Sequence, residues 1–152
     1  MNYLKVASSE LNPRASIVEQ YCFFNVSMGL IEQNKYMYLI ISGTNRIGSN
    51  TLKVAKEYQR LLTERSVSAV LFSLEELNML TRNADFEKVE NELITPIHNY
   101  IFISPEYNGS FPGALKLLFD NGKSHAIWWH KKALLTGVST GRAGNLRGMD
   151  HL

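Results

Sequence analysis

A chain of 152 residues with 45% apolar and 20% charged side chains has room for one domain with a real core, is too short for two ordinary ones, and is too apolar for general disorder. Its net charge of +2, scattered along the chain, excludes the basic stripe of a nucleic-acid binder. A single cysteine, Cys22, excludes an intramolecular disulfide, and no stretch has the apolar run of a secretory signal or the roughly 20 apolar residues of a membrane span, so a cytoplasmic protein with no membrane partner is expected.

Residues 1–35 do not share the pattern of the rest and read as an N-terminal extension to a domain over residues 36–152. Asn12 and Pro13 suit a helix cap and first helical residue, and Ile17, Tyr21, Phe24, Met28 and Ile31 recur at spacings of three and four, which predicts one apolar helix face over residues 13–31. The aromatic and β-branched run at residues 21–26 predicts a strand instead; the helix is preferred and both readings stand. Cys22 lies in this apolar setting, where an inert buried thiol is expected.

From residue 38 the pattern alternates as βα units do. Residues 38–41 are a short apolar run suited to a strand buried on both faces, and Leu52, Ala55, Tyr58 and Leu62 then form the buried stripe of a helix. Residues 67–72 predict a second strand, residues 85–94 a helix broken by Pro96, and residues 100–104 a third strand. Pro112 opens a further helix that ends at Asn121 and Gly122, and residues 132–138 predict a fourth strand followed by a small-residue loop over residues 139–145. Such an order implies a mainly parallel sheet covered by helices on both faces, with ligands bound beyond the carboxyl ends of the strands. The loops after strands one, three and four all lie at that end.

The first loop carries the chemistry of an anion cradle. Gly43 and Gly48 have the spacing of a nucleotide-triphosphate loop, but Ser49 and Asn50 replace its lysine and hydroxyl residue, and a G-x-G-x-x-G fingerprint is absent both here and over residues 141–148. What remains is a set of Thr44, Ser49 and Thr51 hydroxyls, the Arg46 guanidinium and the amides of a helix N-terminus, which suits one phosphate monoester. The plainer alternative is a βα turn in which Ser49 or Asn50 caps the helix. In the second loop Glu106, Tyr107 and Asn108 have no second carboxylate at a spacing that supports acid–base catalysis; a flat ring beside Tyr107 accounts for them as well. His98, His125, His130 and His151 form no metal-binding spacing, and no catalytic cysteine or serine elbow is present. Trp128 and Trp129 read as core or subunit packing before substrate contact.

Three motifs together give the chain a family likeness over residues 37–152: Gly43-Thr44-Asn45-Arg46-Ile47-Gly48-Ser49-Asn50-Thr51, Pro105-Glu106-Tyr107-Asn108-Gly109-Ser110-Phe111-Pro112-Gly113-Ala114-Leu115-Lys116, and Ser139-Thr140-Gly141-Arg142-Ala143-Gly144-Asn145-Leu146-Arg147. In these the chain resembles the NADPH-dependent FMN reductases, flavodoxin-like proteins that include quinone, chromate and azo-dye reductases. The resemblance implies a three-layer αβα fold with a parallel sheet of order 2-1-3-4. The family's fifth edge strand and last helix are not found, so a C-terminally truncated domain is expected, with residues 13–31 over the face left bare. A mis-started or truncated reading frame is the alternative.

The resemblance further implies FMN as cofactor and NAD(P)H as co-substrate, with electrons passed to a flavin, quinone or similar small acceptor, and a homodimer or tetramer. Thr44, Arg46, Ser49, Asn50 and Thr51 would hold the phosphate end of FMN. Pro105, Glu106, Tyr107, Asn108 and Gly109 would line the ring edge, with Ser139, Thr140, Gly141 and Gly144 on its pyrimidine side. No catalytic side chain and no metal are implied, because the flavin carries the redox chemistry and backbone amides stabilise charge on it. Asn145 stands where the family has a second glycine, so a looser approach of the third loop to the ring is expected. The rival functions are a flavodoxin-type electron carrier, against which stand the net charge and Arg46, and a flavin-free interaction module.

Overall fold

The computed structural model describes residues 16–22 and 37–152 of the chain. One mixed sheet holds five strands, β1 (Ser16–Cys22), β2 (Met37–Ser42), β3 (Ser68–Ser73), β4 (Asn99–Pro105) and β5 (Lys132–Ser139), in spatial order β1-β5-β4-β2-β3. Strands β2 to β5 run parallel, in the expected 2-1-3-4 order. The connections carry α1 (Asn50–Glu64), α2 (Ala84–Val89), α3 (Gly113–Asn121) and α4 (Ser124–Ile127), and α5 (Leu146–His151) follows β5.

Strand β2 shows why the sheet needs two covering layers. Leu39, Ile40 and Ile41 are all fully buried, and alternate residues belong to different cores. Leu39 and Ile41 join Phe86, Phe102, Leu115, Leu118 and Ile127 on the side of α2, α3 and α4. Ile40 meets Val54 and Ala55 of α1, with Ile101, Ile103 and Val138. The former core is lined by rings: Trp128 packs 5.0 Å from Phe119, edge to face, and also against Tyr100 and Phe102. Its neighbour Trp129 is 56% exposed, so the two tryptophans of the pair do different things.

The N-terminal region departs from the helical expectation. Residues 16–22 form an edge strand antiparallel to β5, in register from Ser16 opposite Ser139 to Cys22 opposite Ala133. A helix over Ile17 and Tyr21 is therefore incorrect, and this segment extends the sheet instead of lying over its face. The physical reason is non-local: an unpaired edge of β5 offers a row of backbone donors and acceptors, and a segment containing Ile17, Val18 and Tyr21 can occupy it. The position beside β5 that lacks a parallel strand is thus paired. The remaining residues of the proposed helix face, Phe24, Met28 and Ile31, lie outside the described residues, as does the packing of the Cys22 thiol. Deleting residues 1–35 is expected to lower the melting temperature and to promote concentration-dependent association through the β5 edge. An unchanged melting temperature and a monodisperse product would contradict that role for β1.

The helix expected over residues 85–94 is also more particular than its pattern. It runs as α2 and then widens into a π-helical turn, Glu90–Ile94, closed by the Thr95 amide on the Glu90 carbonyl at 2.7 Å. Its end is capped by side chains. The Tyr100 hydroxyl lies 2.6 Å from the Ile94 carbonyl and 3.0 Å from that of Ile97, and Lys131 Nζ donates to the Thr95 and Ile97 carbonyls. Burial raises the Tyr100 pKa well above the ordinary phenol value. Glu90 itself is 1% exposed, and Arg82 grips it with two guanidinium nitrogens at 2.7 and 2.8 Å.

Candidate functional site

Three loops leave the carboxyl ends of β2, β4 and β5 on adjacent strands, and their residues surround a cleft of about 390 Å³. Arg46, Ile47, Gly48, Ser49, Asn50 and Thr51 form one end; Pro105, Glu106 and Tyr107 form one wall, and Val138, Ser139 and Thr140 the other.

The first loop is seated by Gly43. Its amide donates to the Ile103 carbonyl at 2.8 Å, and a Cβ there would stand 2.8 Å from that same oxygen, so only glycine permits the loop to leave β2 this close to β4. Ser49 is the N-cap of α1: its Oγ accepts from the Leu52 amide at 3.1 Å and its backbone is extended. The capping role and a ligand-binding role are compatible, because the hydroxyl proton remains available to donate. The first-turn amides of α1, with Thr51 behind them, face the same end of the cleft. Arg46 is exposed and has no carboxylate partner among the described residues; its guanidinium lies 4.7 Å over the Tyr107 ring.

Thr44 occupies a different place from the one its sequence position suggests. It is fully buried and does not line the cleft. Its Oγ1 takes the Arg46 amide at 3.2 Å and lies 2.8 Å from the Tyr107 hydroxyl, so it ties the first loop to the second.

The second loop contains a tight hairpin. Tyr107 and Ser110 exchange backbone hydrogen bonds of 2.8 and 3.1 Å, and Asn108 and Gly109 between them both have positive φ, 53° and 76°. That is a type I′ turn, which the Asn-Gly pair favours. Asn108 is exposed at its tip and Gly109 faces the other way, 3.4 Å from Arg147 Nη1 at its would-be Cβ, so neither lines the cleft. From the same side Ser110 Oγ lies 2.9 Å from His151 Nδ1 of α5. The Glu106 amide is spent on the Val138 carbonyl at 3.1 Å, and that of Tyr107 on Ser110.

In the third loop the Gly141 amide donates to Ser139 Oγ at 3.1 Å, and Gly141 and Gly144 shape the turn without lining the cleft. The Thr140 amide has no intramolecular partner among the described residues and belongs to the cleft wall. Asn145, where a looser loop was expected, is fully buried with its Nδ2 donating to the Ser104 carbonyl at 3.0 Å. The loop is therefore fastened there.

The structure thus brings Arg46, Ser49, Asn50, Thr51, Pro105, Glu106, Tyr107, Ser139 and Thr140 around one cavity, and leaves Thr44, Asn108, Gly109, Gly141 and Gly144 in its supports. Ile47, Gly48 and Val138 also line it, though none of them was expected as a cofactor-binding residue. Ile47, 88% exposed, gave no sequence signal as a wall residue, because its position depends on the turn that carries it.

Titrating groups with displaced pKa values sit elsewhere. His98 and Lys131, both lowered chiefly by burial, precede β4 and β5 and so lie at the opposite end of the sheet. Among the described residues no three His, Cys, Asp or Glu side chains are grouped to hold a metal, and no helix is long and apolar enough to cross a membrane. The site offers hydrogen bonds, a guanidinium with no carboxylate partner among the described residues, and a shaped wall.

Comparison with known proteins bears on the family and the fold. The family model described as NADPH-dependent FMN reductase matches residues 37–152. No curated protein matches the chain in sequence. Among solved structures the chain is similar to an NADH:FMN oxidoreductase in its apo form, at 22% identity and a TM-score of 0.62, over 76% of this chain and 64% of that one. It is also similar to an oxidoreductase from Corynebacterium diphtheriae, at 16% identity and a TM-score of 0.51, over 62% of this chain and 59% of that one. The chain spans less than two thirds of the length of either structure, and the likeness to them is one of fold. The family match takes in every strand of the parallel sheet and all three loops of the cleft, and the chain belongs to the NADPH-dependent FMN reductase family.

Proposed function

We propose that the protein is an FMN-dependent NAD(P)H oxidoreductase that passes electrons to a flavin, quinone or similar small acceptor. One observation carries the reading: an arginine with no carboxylate partner among the described residues and the N-terminus of α1 share one end of a cleft whose walls are the backbone-rich loops after β4 and β5. The donor set fits FMN. Arg46, Ser49, Asn50, Thr51 and the α1 amides suit a dianionic phosphate, and the Glu106–Tyr107 and Ser139–Thr140 walls suit the edge of a flat ring.

When bound, FMN supplies the redox chemistry, taking a hydride equivalent from reduced nicotinamide and giving up electrons to the acceptor. The chain's part is position and charge. Arg46, which lies over the Tyr107 face, would meet the phosphate, and Tyr107, fixed by Thr44 and its own hairpin, would limit where the ring lies. The Thr140 amide, unlike those of Glu106 and Tyr107, is available to donate to a ring oxygen or nitrogen. No acid–base side chain is assigned. A homodimer or tetramer in the cytoplasm is part of the same proposal.

Steady-state assay of purified protein reconstituted with FMN tests it, with NADPH as donor and a quinone or free flavin as acceptor. Oxidation of NADPH that depends on the bound FMN is expected. Bound FMN without NADPH oxidation would favour an electron carrier, and absence of bound flavin would remove both readings.

A further inference from the structure

Asn145 is a buried polar side chain of the third loop, with its Nδ2 paired and its Oδ1 without a hydrogen-bond partner among the described residues. It is fully buried, its backbone is left-handed with φ 66°, and its side chain reaches 41 residues back to donate to the Ser104 carbonyl at 3.0 Å. Ser104 immediately precedes Pro105, the first wall residue of the second loop. The bond therefore joins the end of the third loop to the end of β4, where the second loop begins.

The space for this side chain is made by Gly148. A Cβ built there would stand 1.9 Å from Asn145 Oδ1 and 2.7 Å from its Cγ, so any residue but glycine at 148 would displace the amide. Gly137 of β5 makes room on the other side, with its would-be Cβ 2.5 Å from the Gly144 carbonyl and 3.1 Å from Asn145 Cβ. Neither space is left over: each is filled by the loop that Asn145 anchors. Farther along α5, His151 and Arg147 meet Ser110 and Gly109.

We infer that Asn145 is a positioning residue, accommodated by Gly148 and fixed by its bond to the Ser104 carbonyl, that holds the Ser139–Asn145 and Pro105–Ser110 loops at the spacing a bound ring requires. It touches no substrate and acts through the Ser104 carbonyl. One part of the inference rests on the flavin reading, namely that the spacing matters for a ring; the clamp itself does not.

Two measurements separate these parts. The first is amide hydrogen exchange over residues 104–110 in flavin-free protein, for wild type, Asn145→Gly, Gly148→Ala and the double variant. Glycine keeps the left-handed backbone at 145 without strain, so Asn145→Gly removes only the side chain. Exchange at the Glu106 and Tyr107 amides is expected to quicken about tenfold, the effect of one buried hydrogen bond. Gly148→Ala should do the same alone and add little in the Asn145→Gly background, where the three atoms nearest the new methyl are gone. Wild-type exchange in both single variants, or additive effects in the double variant, would overturn the clamp.

The second is titration with FMN and with riboflavin, which lacks the phosphate. Asn145→Gly is expected to weaken both by the same factor of about ten, because the ring is common to them. Loss for FMN alone, or for neither while exchange still quickens, would overturn the link to the ring and leave the clamp standing. If the wild type binds neither, the flavin reading fails, and the exchange data still decide the clamp.

Discussion

Replacement of Arg46 by alanine is expected to raise the dissociation constant for FMN by about 10- to 100-fold, the range for losing hydrogen bonds to a charged group. Riboflavin affinity should stay close to wild type. The contrast follows from where the guanidinium sits. It shares the end of the cleft with the α1 amides and makes no ion pair among the described residues, so a phosphate gains its charge without breaking another pair. Its contact with the Tyr107 ring at 4.7 Å is an exposed cation–π interaction, and losing it disturbs the ring wall little, because Thr44 still holds the Tyr107 hydroxyl. Arg46→Lys should recover part of the affinity as a point charge but not the planar fork. Equal losses for FMN and riboflavin in Arg46→Ala would place Arg46 at the ring and refute the assignment of this end to the phosphate.

The largest stability effect is expected at Glu90. Its carboxylate is buried, takes two hydrogen bonds from Arg82 and lies 3.3 Å from the donating Lys123 amide, while Arg82 also donates to the Asn121 carbonyl at 2.7 Å. One ion pair thereby joins the π-helical turn to the end of α3. Glu90→Ala is expected to lower the unfolding free energy by about 3 kcal/mol, toward the low end for breaking a buried pair because Arg82 keeps some access to water. For a domain of this size that lowers the melting temperature by roughly 10 °C. Arg82→Met should be at least as damaging, since it strands the buried carboxylate.

The pH dependence has a definite sign. Hydrogen bonding from Arg82 outweighs the opposing effect of burial and, with the Lys123 amide, holds the Glu90 pKa below its ordinary value of 4.5. A depressed folded-state pKa contributes stability that is present above the ordinary value and is lost as pH falls through the lower one. Wild-type stability should therefore fall in acid below about pH 4.5, and Glu90→Gln should flatten that part of the curve. A Glu90→Gln variant with an unaltered acid limb would show that other carboxyls govern it.

How much of this was legible in the sequence depends on whether the cause was local. The β2–α1 unit was, because Leu39 to Ile41 must be buried on both faces and because a capping serine precedes a helical stripe. That the sheet is mainly parallel followed from alternation and handedness, and its strand order from the family resemblance. Strand β1 was not legible: the strand reading began only at Tyr21, and the partner that draws residues 16–22 into the sheet, β5, lies more than a hundred residues away in the chain. The π-helical turn was hidden for a similar reason, since nothing in its own sequence states that Glu90 meets Arg82 beneath α3.

At the site, residues read for chemistry divided by depth. Ser49, Asn50 and Thr51 reached the cleft because a helix N-terminus places them there, and Arg46 because the loop before it does. Thr44 looked like a phosphate ligand by its hydroxyl, yet its burial turns that hydroxyl to Tyr107. Asn108 and Gly109 carried a signal that was available and unused: an Asn-Gly pair marks a type I′ turn, which explains their positions as supports of Tyr107. Asn145 looked like a defect in a glycine loop only because Gly148, the residue that accommodates it, is a tertiary neighbour.

The most direct test of the central claim is anaerobic mixing of the FMN-loaded protein with NADPH, followed by its visible flavin absorbance and then by addition of a quinone. Stoichiometric bleaching by NADPH and recovery of the absorbance on adding the acceptor are expected. A protein that binds FMN but keeps its flavin oxidised in excess NADPH and NADH would contradict the account.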